Sequence, residues 1–159
     1  MKSDPELNYL EFHDIDEHGV PPAGSGSWRL FRVEELLFEA TNRLKQDIST
    51  VICGITQPHE VIRSKFYDPT LNVHFLLLDI PLDLFTQRLE ARKLEHMKDT
   101  AVSAESLPDY WETCLLQGRR MARELRNETS SLKNGHILNT AMMSEARMIT
   151  EAKELVKSL

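Results

Sequence analysis

The sequence predicts an α/β fold: a three-layer α/β/α arrangement around a mainly parallel sheet of about four strands. Three observations carry that reading. Short apolar or β-branched runs of strand length alternate with longer stretches of helical apolar spacing, in the order strand, helix, strand, helix, strand, helix, helix, strand, helix. Two of the short runs, "STVICGIT" and "NVHFLLLDIP", carry apolar residues in succession, as parallel strands covered on both faces do. The 159 residues contain no internal repeat, low-complexity tract or linker, so residues 1–159 are read as one domain.

The first strand is "YLEFHDID" (Tyr9 to Asp16), in which apolar and polar side chains alternate up to a glycine-rich loop. Ser27 suits a helix cap, and beyond it Val33, Leu36, Leu37, Ala40 and Leu44 recur at helical spacing. Arg32, Glu34, Glu35, Glu39 and Arg43 take the polar positions. "STVICGIT" (Ser49 to Thr56) is the second strand, closed by Pro58, and a short helix is expected over His59 to Tyr67. "NVHFLLLDIP" (Asn72 to Pro81) is the most hydrophobic stretch and reads as the third strand. The helix "LDLFTQRLEARKLEH" follows, with Leu82, Phe85 and Leu89 on one side and Arg88 and Arg92 spaced i, i+4.

"MKDTAVSAESL" (Met97 to Leu107) lacks apolar periodicity. Pro108 then fits the first turn of a long helix whose apolar stripe is Trp111, Cys114, Leu115, Gly118, Ala122 and Leu125. Arg119, Arg120 and Arg123 project from its other positions. "NGHILNT" (Asn134 to Thr140) is the last strand, and Ser144 caps a closing helix with Ile149, Ala152, Leu155 and Val156 as its inner face.

Composition bounds the function classes. A 41% hydrophobic, 28% charged chain is ordinary for a globular protein, and a formal charge of −6 argues against a general nucleic-acid or anionic-membrane binder. No apolar run reaches the roughly 18 to 20 residues needed to span a bilayer, and "MKSDPELNYL" lacks the apolar segment of a signal peptide, so a cytoplasmic location is expected. Cys53 and Cys114 lie far apart without metal-ligand spacing and are read as buried free thiols.

The loop from Gly19 meets the first six positions of the phosphate-binding pattern G-x-x-x-x-G-K-[ST]. Ser25 and Gly26 then stand where the lysine and the hydroxyl belong. Without them, its remaining means of holding an anion is the amides at the following helix N-terminus, with Arg29 and Arg32 nearby. Asp14 and Asp16, two apart on a strand, share a face and can jointly hold a hydroxyl or hydrated magnesium; the plainer alternative is a turn-initiating pair. His13, His18 and His59 make no metal site by spacing. In a parallel sheet, ligands gather at the carboxyl ends of the strands. Here that edge carries Asp14 and Asp16, Thr56 to His59, Asp79, and Asn139 with Thr140.

Four stretches together resemble the P-loop kinases of small molecules, nucleosides and nucleotides (shikimate-, gluconate- and adenylate-kinase-like). "HDID" is similar to the acidic end of that family's second strand. "VHFLLLDIPLDLFTQRLEARK" is similar to the strand and helix that enter its lid, "GRRMARE" to the returning lid arginines, and "GHILNTAMMSEARMI" to its last strand and helix, where many relatives have an Asp in place of Asn139. The resemblance implies ATP-dependent phosphorylation of a small-molecule or nucleoside acceptor, with ATP and magnesium as cofactors.

It implies roles as well. Asp14 or Asp16 would orient the acceptor hydroxyl and take its proton, and Trp28, Arg29, Arg32, Gly54 and His59 would line the acceptor site. Arg88, Arg92, Arg119, Arg120 and Arg123 would neutralise phosphates around a lid at about 93–108, and Asn139 and Thr140 would border the base. The plainer reading of these arginines is a solvated helix face paired with Glu90, Glu95 and Glu124.

In the family the sheet order is 2-3-1-4-5, and the first strand and its phosphate loop precede the acidic strand. This sequence matches from strand two onward, so the chain alone is expected to be inactive. A second class of function is a non-catalytic binding or assembly domain, a homo-oligomer that covers an incomplete sheet.

Overall fold

The computed structural model describes residues 7–19, 26–99 and 107–159. Its elements are β1 (Leu10–Asp14), α1 (Gly26–Leu44), β2 (Ser49–Cys53), α2 (Pro58–Ile62), β3 (Phe75–Asp79), α3 (Leu82–Asp99), α4 (Leu107–Ser131), β4 (Gly135–Asn139) and α5 (Glu145–Ser158). The fold is mixed α/β with short parallel strand pairs, and the element order is the one the sequence predicts. The chain forms two compact units, Met1–Val73 and His74–Leu159.

In the first unit, β1 and β2 pair in parallel, from Leu10 opposite Ser49 to Asp14 opposite Cys53. Parallel neighbours need a crossover, and α1 supplies it while packing on β2 and α2. The buried residues of α1 are Val33, Leu36 and Leu37, with Arg32 beside them at only 7% exposure; Ile15, Leu7 and Val61 complete this core. Leu44, expected on the inner face, is exposed because the helix is already ending there. Asp47, in the left-handed region at φ 58°, turns the chain: its N–H bonds the Leu44 carbonyl and the Ile48 N–H reaches back to Arg43.

In the second unit, β3 and β4 pair in parallel, from Phe75 opposite Gly135 to Asp79 opposite Asn139. Helix α4 packs on both strands and α3 packs on α4. The stripe predicted for α4 is present, with Trp111 buried and Cys114, Leu115, Gly118, Ala122 and Leu125 half-buried. Gly118 lets the Phe85 ring approach to 3.1 Å of where a Cβ would stand. The cap expected at Ser144 is present, its Oγ accepting the Arg147 N–H at 3.3 Å. No residue of α5 is fully buried, and Ile149, expected on its inner face, is exposed.

Several expectations are corrected. β1 ends at Asp14 rather than Asp16, because the Ile15 N–H bonds the Cys53 carbonyl and the chain then turns. Helix α1 begins at Gly26, so Ser27 is inside it. α2 starts at Pro58 and stops at Ile62, short of Tyr67. The helix read as ending near His96 runs on to Asp99. Cys53 is exposed at the end of β2, and Cys114 is half-buried; both thiols are free.

Candidate functional site

The chemistry-bearing side chains of the first unit gather at the carboxyl end of β1 and β2. Asp14 closes β1 with an exposed side chain whose Oδ1 accepts the Asp16 N–H at 2.9 Å, an aspartate turn. Asp16 lies in that turn, its carbonyl accepting the Gly19 N–H at 2.8 Å. The two carboxylates therefore do not stand side by side on one strand face. Ile15 between them is 2% exposed, and its Cβ lies 3.0 Å from where a Cβ of Gly54 would stand. At φ 131° and against that contact, position 54 is reserved for glycine.

Helix α1 brings two guanidinium groups to the same region, and both are taken by carboxylates. Arg29 Nη2 donates to Glu60 Oε1 at 2.5 Å. Arg32 donates through Nη2 to Glu17 Oε1 and through Nη1 to Glu35 Oε2, each at 2.5 Å. The Glu60 side chain is 5% exposed, and its other oxygen accepts the Gln57 N–H at 2.9 Å, which fixes the start of α2. Burial raises the Glu17 carboxyl, but His13, Arg32 and His18 around it win and hold it below the usual carboxylate range. His13 lies 3.6 Å from Glu11 and 3.7 Å from Glu17, and Leu10, Glu11, Phe12, His13, Glu17 and His18 line an open depression. Trp28 and His59 are half-buried on the first turns of α1 and α2.

The remaining predicted residues belong to the second unit. Arg88 is exposed on α3; Arg92 is on the same helix, its side chain outside the described ones. Of the lid expected at about 93–108, residues 100–106 lie outside the described residues, and its two ends are helical backbone. Arg119, Arg120 and Arg123 are exposed on α4. Arg120 Nε donates to Glu124 at 2.8 Å, a pairing that raises the Arg120 pKa, and Arg123 Nε donates to the Arg119 carbonyl at 3.3 Å. Asn139 is exposed and its Oδ1 accepts the Ala141 N–H at 3.0 Å. Thr140 is 6% exposed and donates through both N–H and Oγ1 to the Asp79 carbonyl, so its hydroxyl serves the fold rather than a rim.

Three partners are absent from the sequence-based expectation: Glu60, Arg126 and the histidine pair. Arg126 Nη2 donates to Asp79 Oδ2 at 2.6 Å and to the Ile80 carbonyl at 3.2 Å. Its signal is positional, since it falls on the inner stripe of α4 between Ala122 and Thr129. His74 Nδ1 and His136 Nε2 lie 3.1 Å apart with stacked rings. Burial first, and His136 second, lower the His74 pKa.

Magnesium held largely by phosphates and water needs one or two carboxylates, and Asp16, exposed in the turn after β1, fits that need while Asp14 is tied to the turn through Oδ1. Among the described residues no cluster of three or more metal-ligating side chains forms, and no helix is long and apolar enough to cross a membrane. In comparisons with protein-family models, curated proteins and solved structures, this chain matches none.

Proposed function

We propose that this chain is the acceptor- and lid-bearing part of a P-loop-kinase-like phosphotransferase acting on a small-molecule or nucleoside hydroxyl. The observation that carries the reading is the strand pairing. In the order 2-3-1-4-5, removing strand one leaves two parallel pairs, 2-3 and 4-5, and β1 with β2 and β3 with β4 are two parallel pairs in that sequence. The three-layer arrangement of the intact family belongs to the same proposal.

In this reading Asp14 is the base. Its Oδ1 is occupied by the turn N–H, which fixes the carboxylate, and Oδ2 takes the acceptor proton as the hydroxyl oxygen attacks phosphorus and the bond to the departing diphosphate breaks. ATP with magnesium supplies the phosphoryl group and part of the charge neutralisation. Arg88, Arg92, Arg119 and Arg123 neutralise phosphate oxygens, and Arg120 joins them when it leaves Glu124, an exposed pair that costs little to break. Asn139 borders the base. Nothing in the loop Gly19 to Gly26 replaces the missing lysine and hydroxyl.

The test has two parts. The coding sequence upstream of Met1 is read for an in-frame G-x-x-x-x-G-K-[ST], and these 159 residues are titrated with magnesium-ATP by calorimetry. The expected result is an upstream loop and no micromolar binding by the chain alone. Micromolar binding without that loop overturns the account of the nucleotide site.

A second reading, a self-associating non-catalytic domain, is favoured by exposed apolar side chains. Phe31 and Phe38 are 67% and 50% exposed seven apart on α1, and Leu76 and Leu78 are 36% and 49% exposed at alternate positions of β3. A strict monomer by light scattering counts against it.

A further inference from the structure

We infer that the acceptor offered to Asp14 is one without a carboxylate or phosphate of its own, and that Glu60 and Glu17 determine this. The inference rests on the acceptor-side reading of the first unit given above.

The sequence suggests the opposite. Arg29 and Arg32 sit on the first turns of a helix with no acidic residue in its opening turn, next to a glycine-rich loop, which is how an anion-holding edge is built. The fold closes that edge. Glu60, 31 positions away in sequence, places a nearly buried carboxylate on Arg29, and Glu17 and Glu35 take both terminal nitrogens of Arg32. Three carboxylates thus meet two guanidinium groups, and Asp14 and Asp16 add two more negative charges at the same strand ends.

Among the described residues no further lysine or arginine at that edge offsets them, and His13 and His18, the other basic groups there, already stand against Glu17. The loop "VPPAGS" (20–25) has no ionisable side chain. Lys65 pairs with Glu34, and Arg43 pairs with Glu11 at the far end of α1. Arg63 is exposed past the end of α2, about 7 Å along the helix from its start. An anionic acceptor at Arg29 would have to displace Glu60, leaving a buried carboxylate without its charge partner, or share a guanidinium whose charge Glu60 already balances while lying beside the unneutralised Asp14 and Asp16. A neutral hydroxyl compound meets neither obstacle. Selectivity here comes from filling the arginines from within, a built-in rejection of the wrong charge.

The experiment uses the full chain and two anionic probes, inorganic phosphate and malonate, followed by the Arg29 and Arg32 Nε–H resonances in NMR titrations of wild type, Glu60→Gln and Glu17→Gln. Glu60→Gln retains an oxygen for the Gln57 N–H, so α2 keeps its start, and Glu17→Gln frees Arg32 Nη2 without touching α2, Glu35 keeping Nη1. The expected result is no saturable shift in wild type and saturable binding in at least one variant, tighter by about tenfold or more. Saturable binding of either anion by wild type at these resonances overturns the inference, as does a failure of both folded variants to gain it. Neither result bears on the upstream phosphate loop, so the kinase reading fails or stands by its own test.

Discussion

Arg126 and Asp79 join the inner face of α4 to the carboxyl end of β3 through a 2.6 Å hydrogen bond between Nη2 and Oδ2. The Asp79 side chain is 12% exposed, while that of Arg126 is 42% exposed. The carboxylate is therefore the partner that suffers when the pair is broken. Arg126→Ala leaves it half-desolvated without a cation and is expected to destabilise the protein by about 1–2 kcal/mol. Asp79→Asn keeps an oxygen for the guanidinium and should lose less. Urea unfolding midpoints of the two variants test the order, and equal midpoints would show that the charge is unimportant there.

Asp14 serves both a turn and the proposed chemistry, and one substitution separates them. In Asp14→Asn the side-chain oxygen still accepts the Asp16 N–H, so the turn is retained and the melting temperature should stay within a few degrees of wild type. The same change removes the proton acceptor. If the phosphotransferase proposal holds, it is expected to lower kcat of the intact protein by about a hundredfold or more, with little change in KM. Unchanged kcat would remove Asp14 from the mechanism.

Gly135 opens β4 directly against the end of α4. A Cβ there would stand 1.9 Å from the Thr129 carbonyl oxygen and 2.9 Å from its carbon, and backbone cannot rotate aside as a side chain does. Gly135→Ala is expected to cost roughly 2 kcal/mol or more. Gly19, at φ 81° with nothing within 4 Å of the same position, gives the comparison: Gly19→Ala adds strain without a clash and should cost about 1 kcal/mol. Chemical denaturation of both variants reads the difference.

The histidine pair gives stability a slope in pH. One ring must donate and the other accept across the 3.1 Å contact, and the folded state resists a proton on His74 because of burial first and His136 second. The unfolded chain takes that proton more readily, so it binds more protons and stability rises with pH in this range. The melting temperature is expected to fall as pH drops through the ordinary histidine value of about 6.5 and to level off once folded His74 is itself protonated. His136→Asn should make the slope shallower without abolishing it, since burial remains. A steeper slope in that variant would contradict this account.

Element order and strand pairing type were legible in the sequence because they depend on local periodicity. Val33, Leu36 and Leu37 recur at the helical period, and the strand-length runs at β2 and β3 admit no helix of ordinary length. Asp14 was legible as one of two aspartates near the end of an alternating run, although the sequence carries that run on to Asp16 and the strand stops at Asp14. Its relation to Asp16 was not, because the turn that separates them depends on Ile15 pairing with Cys53 on the neighbouring strand.

What only the tertiary structure decided is which charges are already spoken for. Arg29 finds Glu60 across 31 positions and Arg126 finds Asp79 across 47, distances over which no spacing rule operates. In sequence, Arg29 and Arg32 are two cations beside a glycine-rich loop. In the folded chain they are neutralised. Burial leaves the Glu60 and Asp79 carboxylates few alternatives to a guanidinium, and the fold determines which guanidinium arrives.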